Sequence, residues 1–296
     1  VTINQAQDLG GMTISQLEYS SNRIGAGLQS PYRLTLATGN HGGVKVQLKS
    51  SDPAVARLSA SATTFGLPLI ELAIPDGQTS VSFYVQGMRE TTGSVTLTAQ
   101  SPRFNTKTAS LAVVQPVVWI NGLTTPTTSL AADDDFYVNT GVLDAAGTSF
   151  SQYQKVSAQG VLPVTFTSSD PAVGQMAKAY ERGASVMVNI PVNQHNSPTT
   201  VATGGVAFDA LSGGTTTVAA TAPGFDSTWS GASKVVTVNQ PVMTIPDTTG
   251  IGHRVGASLQ VQYHIDLGTI ATNHGGVTGH VRSEERRVGK ECRSRW

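Results

Sequence analysis

Apolar and polar side chains take turns along much of this chain. Val44, Val46 and Leu48 alternate with Lys45, Gln47 and Lys49. Val81, Phe83 and Val85 alternate with Ser82, Tyr84 and Gln86, and Val95, Leu97 and Ala99 with Thr96, Thr98 and Gln100. Successive side chains of an extended strand point to opposite faces, so a period of two predicts strands with one buried and one wet face. Antiparallel sheets that cover a core on one side have this pattern. Turn formers fall between the runs, at Pro75-Asp76-Gly77, Thr92-Gly93 and Ser212-Gly213-Gly214. No stretch sustains a 3.6-residue period, and Ala54–Ala62 is too short and too Ser-rich for a helix. Short strands at this spacing predict an all-β sandwich or barrel.

The pattern is also copied. Ser51-Asp52-Pro53-Ala54-Val55 returns as Ser169-Asp170-Pro171-Ala172-Val173, and the stretch Thr96–Phe104 returns as Thr217–Phe225. Val1-Thr2-Ile3-Asn4-Gln5 returns as Val236-Thr237-Val238-Asn239-Gln240, and more loosely at Ala112–Gln115. The spacing is roughly that of one sandwich domain. Arg254–Gln260 resembles Arg23–Gln29, and Asn273-His274-Gly275-Gly276-Val277 matches Asn40-His41-Gly42-Gly43-Val44. The expected organisation is a last-strand remnant at 1–6, a first repeat at 7–115, and a second at 116–240 with an insertion near 191–205 in place of the Pro-Asp-Gly turn. A truncated third repeat follows at 241–281. Its two or three strands are marginal alone, since lone hairpins are barely stable in water. Gln115-Pro116 and Gln240-Pro241 separate the repeats. Proline lacks a ladder donor and restricts its predecessor, which suits short, stiff junctions.

Three phrases then carry a likeness. Ser50–Val55, Ile74–Phe83 and Gly93–Phe104 resemble bacterial immunoglobulin-like (Big-type) repeats. The likeness covers the first repeat well and the second in its middle and end. It implies tandem immunoglobulin-like antiparallel β-sandwiches on an extracellular or bacterial cell-surface protein, working as a stalk or spacer of an adhesin-like molecule. Neighbouring repeats of the same chain are the expected partners, with a cell-surface glycan or protein beyond them. Many functions share this fold, so it implies no particular ligand.

Residues 282–296 stand apart. Nine of these fifteen are charged, against 29 of the preceding 281, and they hold the chain's one cysteine, Cys292. Arg282–Cys292 resembles the translation of a sequencing adapter, so the tail is read as non-native. Arg282-Ser283 also fits the repeat, where the first copy has Lys49-Ser50. Residues 1–281 carry 13 positive and 16 negative side chains and no cysteine. That balance argues against nucleic acid, which needs clustered Lys and Arg. A thiol nucleophile and Cys-ligated zinc are excluded. No apolar run is long enough to span a bilayer as a helix.

Candidate chemistry is sparse. Asp133-Asp134-Asp135, with Asp144 or Asn139 nearby, presents oxygens of the kind Ca²⁺ takes, although the spacing is not that of an EF-hand. A solvated acidic loop that blocks edge-to-edge strand pairing is the plainer alternative. His195, His253, His264 and His280 lack metal-binding spacing, and Asn40-His41-Gly42-Gly43 fits a tight turn. No nucleophile elbow or phosphate-cradling loop occurs, so the chain is not expected to be an enzyme. Trp119, Trp229, Tyr32, Tyr84 and Tyr137 support the alternative of a carbohydrate-binding or accessory module of an exported enzyme. Trp119 is expected to pack at the inter-repeat joint or in the core, and Trp229 to lie in a loop.

Overall fold

The computed structural model describes residues 9–244 and, as backbone, the strand 266–269. The expected remnant at 1–6, most of the third repeat, His253, His264, Asn273-His274, His280 and the 282–296 tail lie outside the described residues.

The alternating runs form strands. The first set is β1 (Met12–Gln16), β2 (Arg23–Gly25), β3 (Leu28–Leu36), β4 (Val44–Ser50), β5 (Ala56–Ser59), β6 (Leu69–Ile74), β7 (Ser80–Gly87), β8 (Gly93–Ser101) and β9 (Phe104–Val114). The second is β10 (Val117–Asn121), β11 (Thr127–Thr128), β12 (Asp134–Leu143), β13 (Phe150–Tyr153), β14 (Lys155–Val156), β15 (Leu162–Ser168), β16 (Gly174–Ala177), β17 (Arg182–Gly183), β18 (Ser185–Ile190), β19 (Val206–Ala210), β20 (Gly214–Thr221) and β21 (Ser233–Asn239). A last antiparallel pair joins β22 (Pro241–Thr244) to β23 (Asp266–Thr269).

Each set makes an immunoglobulin-like sandwich. Sheets β1-β3-β7-β5 and β2-β9-β8-β4-β6 enclose the first core, and β10-β12-β19-β16-β17 and β11-β21-β20-β15-β18 enclose the second. Pairing is antiparallel except for the short parallel contacts β2–β9 and β11–β21. Val46, Leu48, Phe83, Val85, Val95, Leu97 and Ala99 all face the first core, as their alternation predicts. Phe136, Phe166 and Phe208 fill the second, with Phe136 edge-on to Phe166 at 5.4 Å. Burying one such side chain contributes roughly 1.5–3 kcal/mol.

The copied sequence occupies copied surroundings. Asp52 Oδ1 accepts the Ala54 N–H at 2.9 Å and Asp170 Oδ1 accepts the Ala172 N–H at 3.0 Å. Ser51 Oγ accepts the Thr96 N–H at 3.0 Å, and Ser169 Oγ the Thr217 N–H at 2.8 Å. Two loops break the correspondence. The link from β3 to β4 spans only residues 37–43, whereas its counterpart from β12 to β15 spans 144–161 and contains β13 and β14. The link from β6 to β7 spans 75–79, and its counterpart from β18 to β19 spans 191–205. The sequence exposes the second expansion and not the first.

The 37–43 corner shows what the Asn-His-Gly-Gly motif does. Gly42 and Gly43 take φ of 71° and 81°, a left-handed region where a side chain is strained. His41 is buried. Its Nδ1 accepts the Gly43 N–H at 3.1 Å, so Nε2 carries the proton and donates to Gln78 O at 2.9 Å. Asp76 closes the corner, its Oδ1 accepting the Gly42 N–H at 2.7 Å and the His41 N–H at 3.0 Å. The Gly42 N–H, and then that of His41, hold the Asp76 carboxyl below its usual range. A depressed folded-state pKa adds stability that is fully present above the unfolded value, near 3.8, and is lost as pH falls through the lower folded value. Asp76→Asn should therefore lower the first sandwich's melting temperature at pH 7, and the gap from wild type should shrink at pH 3. Thermal melts at the two pH values measure it, and a gap unchanged by acid would refute the assignment.

Candidate functional site

The feature that sets this molecule apart from two beads on a string is the joint between its sandwiches. The two expanded loops of the second sandwich both reach toward the first. The strand β14 leaves its own sandwich and pairs antiparallel with β3, Lys155 opposite Gln29 and Val156 opposite Leu28. On its other side β14 is held by the 191–205 loop, where Val156 N–H donates to Gln194 O and Asn193 N–H to Val156 O, both at 2.9 Å. The insertion is thus a brace for the joint. Leu28 belongs to β3, yet it is fully buried in the core of the second sandwich with Val118, Val156 and Ile190.

Polar side chains complete the lock. Gln154, 2 % exposed, accepts the Gly25 N–H at Oε1 and donates from Nε2 to Arg23 O, both at 2.8 Å. Gln152 donates to Ser21 Oγ, and Tyr153 N–H to the Tyr19 hydroxyl at 3.2 Å. On the opposite side Arg89 Nη2 donates to Gly160 O and Val161 O at 2.7 and 2.9 Å, while Gln159 Nε2 donates to Gly87 O at 2.8 Å. Buried polar groups are costly unless paired, so the bonds of Gln154, Gln152 and Gln159, which are buried or partly buried, also select one relative orientation. Two glycines of the first sandwich leave no room for a side chain beside the junction. A Cβ at Gly25 would meet Leu28 Cδ1 at 2.7 Å and the Pro116 ring at 2.9 Å, and one at Gly87 would meet Gly25 O at 2.5 Å. Pro116, which sequence marks as the junction, is buried there, its carbonyl accepting the Asp226 N–H at 2.8 Å.

No protein-family model and no curated protein sequence matches the chain. Among solved structures it is similar to domains 5–6 of the S-layer protein SbsC, at 18 % identity over 77 % of this chain and 95 % of that one, with a TM-score of 0.25. It is also similar to the Yersinia pseudotuberculosis adhesin InvE, at 16 % identity over 77 % of this chain and 58 % of that one, with a TM-score of 0.28. A β-glucuronidase of glycoside hydrolase family 2 is similar at 9 % identity over 76 % of this chain and 29 % of that one, with a TM-score of 0.27. Likenesses at these identities and TM-scores carry no argument about activity.

The residues that sequence proposes for calcium are not brought together. Asp133 pairs with Arg182, Nη2 to Oδ2 at 2.7 Å. Asp134 Oδ2 accepts the Thr124 N–H at 2.6 Å, and Asp135 Oδ1 accepts the Val201 N–H at 2.9 Å. Within β12 the adjacent Asp134 and Asp135 face opposite ways, and Asp133, just before the strand, is drawn to Arg182. Asp144 binds its own turn, accepting the Thr148 N–H at 2.8 Å. Among the described residues, no group of three or more His, Cys, Asp or Glu could hold a metal ion, and no helix is long and apolar enough to cross a membrane.

Of the aromatic candidates, Tyr32 is a core residue, 1 % exposed and 5.8 Å from Phe83, and burial pushes its hydroxyl pKa up. Tyr32 is therefore no part of any sugar platform. Tyr84 and Tyr137 are half-buried in separate sandwiches. Trp119 and Trp229 do meet, edge to face at 6.5 Å, and Phe150 and Tyr153 of the 144–161 loop join them. Sequence misses these last two because the loop holds no long apolar alternation. The signal available was Phe150-Ser151-Gln152-Tyr153, a short aromatic run in a segment with no counterpart in the first repeat.

Proposed function

We propose that this chain is a spacer segment of an extracellular, cell-surface or secreted bacterial rod, whose two sandwiches act as one mechanical body. The carrying observation is the exchange at the joint: β14 of the second sandwich lies on β3 of the first, and Leu28 of the first fills the core of the second. Domains joined only by a linker move relative to one another by default. A hydrogen-bonded strand and a shared hydrophobic anchor oppose that motion. The resemblance to bacterial immunoglobulin-like repeats and the copying of the unit along the chain support the surface role.

The test is a distance measurement. Spin labels at Lys107→Cys on β9 and Thr215→Cys on β20, both exposed, in a Cys292→Ser background, should give one narrow distance distribution by pulsed electron resonance. A broad distribution in the otherwise native chain would sink the proposal.

A further inference from the structure

A cleft of about 480 Å³ opens on the flank of the second sandwich, lined by Trp119, Phe150, Trp229, Ser230, Ser233 and Lys234. Its size lies within the range of small-ligand clefts, roughly 300–1,000 Å³. Phe150 sits at its centre, 5.2 Å from Trp119 and 5.8 Å from Trp229, and Tyr153 stacks against Trp119 at 6.5 Å and 18°. These rings are not sealed into the core. Trp119, Phe150 and Trp229 are half-buried and Tyr153 is exposed. Their exposed edges give the cleft an aromatic floor open to solvent.

The polar lining says what would fit. Exposed Ser149, Ser230 and Ser233 edge the cleft with hydroxyls. Its one charged residue is Lys234, whose ammonium is already bound to Leu123 O at 2.5 Å. No carboxylate lines it. A cationic ligand would find no opposite charge, an anionic one would find only Lys234, whose ammonium is turned to Leu123 O, and a purely apolar one would leave the hydroxyls facing it unpaired. A neutral sugar suits both features, because a pyranose ring has a C–H face that lies on an aromatic face and a rim of hydroxyls that hydrogen-bond at its edge. We infer that the cleft between Trp119, Phe150 and Trp229 binds a neutral oligosaccharide. This goes beyond the spacer role: the rod would touch a glycan along its length, next to the joint that holds β13 in place.

Trp229 offers a clean handle. It stands at the head of the short 3₁₀ turn Ser230–Ala232, and its indole lies over Gly231, where a Cβ would collide with the ring. In a Trp296→Phe background of the full chain, Trp119 and Trp229 are the remaining tryptophans. Fluorescence titration with chitotetraose, cellotetraose and maltotetraose should give a saturable change with at least one of them. Trp229→Ala should weaken that binding at least tenfold, with Trp119 as reporter, and Gly231→Val, which keeps both indoles but displaces one, should do the same. Circular dichroism melts of both variants must match the parent, and if one melts lower the other decides. Three results would each overturn the inference: no saturable change with any of the sugars, binding indifferent to the variants, or saturation by decaproline in place of the sugars. None of them touches the spin-label distance on which the spacer role rests.

Discussion

Leu28→Ala should destabilise the sandwich to which Leu28 does not belong. Truncating a buried leucine costs about 2–5 kcal/mol, the lost transfer energy plus the void left behind. The side chain is rooted in β3 of the first sandwich, but it lies opposite Val156 and belongs to the buried cluster that also holds Val118 and Ile190, the second core. Most of the cost should therefore appear as lower amide protection in β15 and β20 and an earlier unfolding transition of the second sandwich. Leu34, on the same strand but in the first core, serves as the control, since Leu34→Ala should weaken the first sandwich foremost. Hydrogen exchange read by mass spectrometry separates the two. If Leu28→Ala loosened only residues 12–114, the joint described above would be wrong.

Gln154→Leu should open the joint while leaving each sandwich folded. Leucine nearly fills the same volume, but it leaves the buried Gly25 N–H without its acceptor and Arg23 O without its donor. An orphaned buried group costs about 1–3 kcal/mol. The cheapest relief is for water to enter between β2 and β13. The interspin distance from β9 to β20 should then broaden, and protection should fall at residues 23–29 and 152–157 first. Gln154→Glu keeps an acceptor for Gly25 and should lie between the two. A narrow, unchanged distribution in Gln154→Leu would show that the polar lock contributes nothing to rigidity.

Both predictions bear on residues that hydrophobic patterning cannot interpret. Alternation marks Val46, Leu48, Val95 and Leu97 as inward because one sandwich alone explains their burial. For a side chain such as Leu28, alternation cannot say inward to which core. Gln86 falls among the polar positions of the Val81–Gln86 alternation, and nothing in the sequence marks Gln152 or Gln154 as inward. All three are buried because they bind backbone and side-chain groups that only the folded chain brings near. Gln86, for instance, accepts the Gly66 N–H at 2.9 Å and donates to Thr64 O at 2.9 Å. The 191–205 insertion was visible because it displaced a Pro-Asp-Gly turn with a known signature. The 144–161 expansion displaced the Asn-His-Gly-Gly corner of 37–43, but what replaces it has too little apolar alternation to announce strands, so the hairpin that makes both joint and cleft stayed hidden. Asp133, Asp134 and Asp135 meet Arg182, Thr124 and Val201 respectively, partners that only the folded chain brings near.

The shared position of Leu28 also imposes an order on assembly. The first sandwich can close around Tyr32, Phe83 and Leu97 using residues that all precede Val117. The second lacks Leu28 in its core, and β14 its partner strand, until β3 is in place. A polypeptide delivered amino end first through a narrow export channel thus meets a finished template each time a new unit emerges. A circularly permuted chain, with the halves exchanged, would have to wait.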